Sequence, residues 1–218
     1  MASLSRKIGT LKEHVGRFGW PSAVHVALAR PLERWRLLRV GYCLALDIRN
    51  PLRPPGDLPS GAEVRELRLE EVGELAQSET DWFFPGAVAA SLERGDRCFA
   101  VLIDGVVACS NWCATAPLLQ FGLVLQPPVG GFFGHRLFTK PAHRGRKLQA
   151  FLRAHVADHY RALGYEWYLN TMFWTNTASL HAAERLGYRR VATILAVGPE
   201  DRPYSRLLWV RPPGVSVI

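Results

Sequence analysis

The sequence predicts an α/β domain in which strands and helices alternate around one core. Three observations carry this. Asp104-Gly105 separates two apolar runs, Cys98–Ile103 and Val106–Ala114, and Asp-Gly is a strong two-residue hairpin turn. The segment from Gly134 to Gly164 reads as a strand, a short basic loop and a helix. Asn176-Thr177-Ala178-Ser179 then opens a further helix that stops at Gly187.

The chain has 218 residues, 48% of them hydrophobic and 21% charged, enough for one sizeable core. The formal charge is +8 and unevenly spread. Residues 1–50 hold nine Lys/Arg and three Asp/Glu, a net +6, which leaves +2 for the rest. Such a basic segment suits an acidic partner. The main body has no basic sheet interleaved with aromatics, which argues against nucleic acid. Cys43, Cys98, Cys109 and Cys113 form no CxxC pair and read as buried thiols of a reducing cytoplasm. No apolar run is long enough to span a membrane, and the N-terminus has no signal-peptide pattern.

Residues 1–20 predict an amphipathic helix, with Leu4, Ile8, Leu11, Val15 and Phe18 on one face. Residues 32–46 predict a second, opened by Pro31, with Leu32, Trp35, Leu38 and Tyr42 sharing a face. Residues 1–50 are thus expected to be a basic helical extension, and the Pro/Gly-rich 51–61 a linker. Two readings of residues 1–40 stay open: helices packed on the main domain, or a peripheral contact with an anionic membrane or a protein.

The main domain, 62–218, opens with a strand at Glu63–Arg68 and a helix at Glu70–Ala76. An aromatic turn, Asp81 to Pro85, precedes a helix at Ala87–Arg94, and the hairpin follows. After a loop at 126–131 comes the strand containing His135, ended by Pro141. The loop Ala142-His143-Arg144-Gly145-Arg146-Lys147 leads into a helix with Leu148, Phe151, Leu152, Val156 and Leu163 near a 3.6-residue period. Unpaired amides and the positive dipole end at a helix start suit a phosphate, and three basic side chains stand beside them. Glu166–Phe173, Tyr188–Val197 and Ser205–Val210 are strands.

Two of these stretches resemble the GNAT (GCN5-related N-acetyltransferase) superfamily. Pro141-Ala142-His143-Arg144-Gly145-Arg146-Lys147-Leu148-Gln149 is similar to that family's acyl-CoA pyrophosphate loop, with Lys147 and Gln149 where the family prefers Gly and Gly or Ala. Asn176 through Tyr188 is similar to its Asn-to-Gly-Phe/Tyr helix. The resemblance implies a mixed, mostly antiparallel central sheet flanked by helices. Two parallel strands, 132–139 and 166–173, would splay apart to admit acetyl-CoA. Backbone groups of Leu137, Phe138 and Thr139 would pair with the pantetheine. Amides of Arg144, Gly145, Arg146, Lys147, Leu148 and Gln149 would hold the pyrophosphate, and the Asn176 side chain would touch the pantetheine arm. At a helix start, non-glycine residues at 147 and 149 are expected to be tolerated.

The implied activity is direct transfer of an acetyl group from acetyl-CoA, as co-substrate and without a metal, to a small-molecule or protein amine. A non-catalytic acyl-CoA-binding module is the competing reading, because Ala183 stands where many members carry an acid tyrosine. His135, Glu166 and Tyr168 on the splayed strands are candidate proton-handling groups, and Ser179 and His181 are candidate replacements for the tyrosine. Trp82 and Trp174, with Phe83 and Phe84, could wall an acceptor or acyl pocket. His155 and His159 share a helix face, but Asp158 replaces the glutamate of the inverted zinc motif and no third ligand is marked. An oligomer is compatible with the sequence.

Overall fold

The computed structural model describes residues 38–54, 56–78, 85–198 and 204–218. The predicted helix at 1–20, the aromatic residues Asp81 to Phe84 and most of the 198–203 connection lie outside the described residues.

An eight-stranded sheet forms the body. Its strands are β1 (Leu38–Asp47), β2 (Ala62–Glu66), β3 (Arg97–Ile103), β4 (Val106–Ala114), β7 (Gly131–Thr139), β8 (Trp167–Phe173), β9 (Arg189–Val197) and β10 (Tyr204–Leu208). They lie in the order β10-β9-β1-β8-β7-β4-β3-β2. Only β7 and β8 pair in parallel; every other neighbouring pair is antiparallel. A small second sheet contains β5 (Leu118–Gln120), β6 (Leu123–Gln126) and β11 (Ser216–Val217). Four helices flank them among the described residues: α1 (Leu69–Ser78), α2 (Pro85–Glu93), α3 (Leu148–Ala162) and α4 (Thr177–Arg185).

The sheet separates distinct clusters of apolar side chains. On one face, Leu148, Leu152, Val156 and Tyr160 of α3 pack with Phe99, Val101, Cys109, Phe132 and Tyr168. Phe132 stacks between Tyr160 and Tyr168, with ring centroids 3.9 and 4.6 Å away. Each such fully buried side chain contributes roughly 1.5–3 kcal/mol. The other face carries two groups. Leu67, Val72, Leu75 and Val88, from α1, α2 and the segment before α1, cover Cys98, Ala100 and Trp112. The small sheet covers Cys43, Ala45, Phe133 and Leu169.

Residues 38–47 correct two expectations. They are a strand rather than part of a helix, and they sit in the middle of the sheet between β8 and β9. They therefore belong to the main domain and not to a terminal extension. The physical reason is burial on both faces: Leu44 and Leu46 join one core cluster, Cys43 and Ala45 another. Two-sided burial removes the polar alternation that marks a strand. Leu32, Trp35, Leu38 and Tyr42 fall at helical spacing without forming a helix over 38–47. Nor is 51–61 a bare linker, since Leu52 and Leu58 pack against the core.

The hairpin forms as predicted, with positive φ at Asp104 (51°) and Gly105 (77°), the signature of a type I′ turn. A second hairpin, β5–β6, turns through Phe121 (φ 54°) and Gly122 (φ 78°). It was not anticipated, although Gly122 between two short apolar runs is its signal.

Candidate active site

The site begins where two strands part. β7 and β8 pair from Gly131↔Trp167 to Gly134↔Asn170. Beyond that point each keeps only its outer neighbour: β7 stays on β4 as far as Cys109↔Thr139, and β8 stays on β1 as far as Gly41↔Phe173. The result is a wedge with its apex at Gly134 and Asn170. Its cause is a bulge. The register of β7 on β4 shifts between Ser110 and Trp112, and Arg136 adopts a left-handed φ of 48°. A bulge bends its strand and strengthens the local twist, which carries β7 away from β8.

The loop between β7 and α3 stands at the open end of the wedge. Its first residues make a 3₁₀ turn, Pro141–His143. Gly145 and Lys147 then take positive φ, 80° and 57°. Lys147 is the residue before α3 and offers no side-chain cap. The backbone here does favour glycine, contrary to the expectation that a helix start would tolerate any residue. A left-handed non-glycine residue costs roughly 1–2 kcal/mol. Arg144 N–H bonds to Pro141 O, and Ala150 N–H to Lys147 O. The first amides of α3, from Leu148 onward, have no intrahelical acceptor and face this loop. The Leu148 side chain is buried in the core, whereas Arg144, Gly145, Arg146 and Lys147 are exposed. Arg144 Nε donates to Thr139 O at 3.3 Å, and Arg146 lies 3.1 Å from His143 Nδ1.

Gln149 has a separate task. Its Nε2 donates to Phe138 O at 2.8 Å and reaches Ser110 O and Thr139 Oγ1 at 3.3 Å. These acceptors lie on β4 and β7 next to the bulge. The amide thus ties the start of α3 to the bent end of β7. Phe138 projects into the apolar cluster on the α1 face, and Leu137 is half-buried.

A buried polar cluster lines the apex on the α3 face. Asn111 Nδ2 donates to the Tyr168 hydroxyl, and Asn170 Nδ2 donates to the Tyr188 hydroxyl at 3.0 Å. The Tyr168 hydroxyl in turn donates to the Tyr188 hydroxyl, so its own hydrogen is engaged within the cluster. Burial pushes both phenols above their ordinary pKa, so both stay neutral. The guanidinium carbon of Arg153, on α3, lies 5.4 Å from the centre of the Tyr188 ring. Neither Tyr188 nor Arg153 was singled out from the sequence.

His135 lies on the opposite face, buried beside Trp112 with ring centroids 6.4 Å apart. Its Nε2 is 2.8 Å from Asp96 Oδ2. Arg94 also pairs with Asp96. Burial lowers the His135 pKa against the opposing pull of Asp96. Burial raises the Asp96 pKa, but the bonds from His135 and Arg94 outweigh it and the net shift is downward. A neutral imidazole donating to a carboxylate carries its hydrogen on Nε2 and its lone pair on Nδ1.

The remaining candidates divide. Asn176 caps α4, with its Oδ1 accepting from Ser179 N at 3.3 Å. Ser179 is thereby bound through its backbone, and His181 is exposed on α4. Glu166 is misplaced by the sequence reading. It precedes β8 at the closed end of the parallel pair, where its N–H bonds to Gly130 O at 2.8 Å, and the wedge opens at the other end. Ala183 is fully buried in the core and supplies no acid. His159 lies 2.7 Å from a nitrogen of Arg97, a poor setting for a cation. No group of three metal-ligating side chains occurs among the described residues.

No family model matches the chain, and no curated protein matches it in sequence. Solved structures do match. A protein assigned to the GNAT acetyltransferase family from Novosphingobium aromaticivorans superposes with TM-score 0.50 at 20% identity, over 73% of this chain and 63% of that one. A Drosophila protein gives TM-score 0.53 at 18% identity, over 80% of this chain and 57% of that one. A tandem GNAT protein from the clavulanic acid biosynthesis pathway gives TM-score 0.50 at 16% identity, over 74% and 55%. The chain thus spans about three fifths of the length of each of these three structures. It shares the fold of these structures, two of which are assigned to the GNAT family.

Proposed function

We propose that this chain is an acyl-CoA-dependent N-acyltransferase that carries an acyl group, acetyl in the simplest case, directly from the thioester to an amine. The observation that carries the reading is the wedge between β7 and β8, with the amides at the start of α3 at its open end. A pyrophosphate suits those amides and the charges of Arg144, Arg146 and Lys147. A neutral arm laid along the wedge meets strand edges that have no ladder partner across the gap. Its thioester end then reaches the apex.

In the reaction the amine nitrogen attacks the thioester carbon, the C–N bond forms, and the C–S bond breaks. The amine proton passes to a base, and the departing sulfur gains a proton. His135 has the chemistry of the base, with Asp96 holding its tautomer. The Tyr188 hydroxyl, which accepts from Asn170 and Tyr168, serves the charge that develops at the apex with its own hydrogen. The acceptor is a small-molecule or protein amine. The four buried free cysteines are in keeping with a reducing compartment.

Ala183 favours one other reading, a module that binds acyl-CoA without turning it over. Calorimetry with acetyl-CoA on the wild type and on Arg144→Ala, followed by thiol release against amine panels, separates the two. Binding without thiol release selects the module. Absence of binding refutes both.

A further inference from the structure

The cluster at the apex is incomplete. Arg153 is only 4% exposed, and its Nε has no hydrogen-bond partner among the described residues. Among the described residues no carboxylate pairs with it, and its guanidinium lies over the neutral ring of Tyr188. Asn111 Oδ1 and Asn170 Oδ1 are buried and equally unpartnered. A buried guanidinium with no counter-charge is unfavourable, and an anion relieves it. Arg153, Tyr188 and Asn170 form a continuous line of contacts that ends at the point where β7 and β8 part.

We infer that this cluster receives a carboxylate at the far end of the donor's acyl chain, so that the transferred group is the mono-acyl residue of a dicarboxylic acid. The assignment rests on the acyl-CoA reading above and narrows it. Three considerations place the anion on the acyl chain. The phosphates of CoA belong to the exposed loop, whereas Arg153 is buried further along α3. The pantetheine arm is neutral and brings no anion. The acceptor is assigned to the face that holds His135 and Asp96, and Arg153 with Tyr168 and Tyr188 lies on the other. Arg153 supplies the charge and its N–H donors, while the amide oxygens of Asn111 and Asn170 accept from N–H groups or water around the bound chain.

The test is calorimetric. Malonyl-, succinyl- and glutaryl-CoA are each titrated against the methyl-terminated thioester of equal carbon count, propionyl-, butyryl- and pentanoyl-CoA, with free CoA alongside. At least one acid-terminated thioester should bind the wild type tenfold or more tighter than its methyl counterpart. Arg153→Met, which keeps the apolar stem, should abolish or invert that preference. Equal affinities within every pair, or tighter binding of every methyl form, would overturn the inference alone. So would an Arg153→Met protein that keeps the wild-type preference. If neither free CoA nor any thioester binds, the acyltransferase reading fails and this assignment falls with it. The wild-type comparison needs no substitution, so a variant that does not fold leaves it decisive.

Discussion

The Tyr168 hydroxyl occupies the space that a side chain on Gly134 would need. A Cβ built on Gly134 would come 2.8 Å from that hydroxyl and 2.5 Å from Tyr168 Cε2. Gly134 is the last residue of β7 paired with β8, so the missing side chain is what brings a phenol to the apex of the wedge.

Gly134→Ala is therefore expected to displace the Tyr168 ring from a packed core. Overpacking of this kind costs about 1–3 kcal/mol. Urea unfolding should show that loss, and thiol release at saturating donor should fall with it. Wild-type stability in the variant would mean that the ring moves freely.

Lys147 holds a backbone conformation that suits glycine. Lys147→Gly relieves the strain and loosens the unfolded chain, with a net gain of about 0.5–1 kcal/mol. Lys147→Val should instead lose about 1 kcal/mol or more, because a β-branched residue tolerates positive φ poorly. Urea midpoints of the two variants should fall on opposite sides of the wild type.

Gln149→Leu keeps the volume but removes the amide from Phe138 O and Ser110 O. Leaving buried acceptors without a partner costs roughly 1–3 kcal/mol. Hydrogen exchange should also quicken in β7 beyond Arg136. Unchanged exchange there would show that the tie does not hold the strand.

Acid should weaken the fold through His135. Burial lowers its pKa, so its contribution to stability is complete above the unfolded value near 6.5 and is lost as the pH falls below it. His155 and His159 are shifted the same way by burial and add to the trend. The Asp96 carboxyl, also lowered, extends the loss below its ordinary value of 3.8. Urea unfolding at pH 7.5 and 5.5 should show the wild type losing stability and His135→Gln losing less. Equal slopes would remove His135 from the account.

Local chemistry was the readable part of the sequence. Asp104-Gly105 determines its own backbone, and the loop at Gly145 and the cap at Asn176 announce helix starts. What escaped depends on distant neighbours. β1 hides because both of its faces are covered, and Gly41 inside the apparent helix was the one contrary sign; a Cβ there would strike the Phe121 ring at 2.4 Å. The bulge at Arg136 has no local signal, since arginine does not favour a left-handed backbone. Arg153 looks like any solvent-facing helix residue until the Tyr188 ring packs against it. Glu166 falls just before β8, at the closed end of the pair, because the point at which two strands part is a property of the pair.

The central place of β1 also shapes the order of events at synthesis. β1 leaves the ribosome well before its partners, which begin at Trp167 and Arg189, and both of its edges are then bare. At ordinary translation speeds the wait is on the order of 10 seconds. During that time an apolar strand with two open edges is a template for pairing with other chains. Nascent-chain crowding, chaperone supply and culture temperature should therefore govern the yield of this protein more than the equilibrium stability of its finished fold.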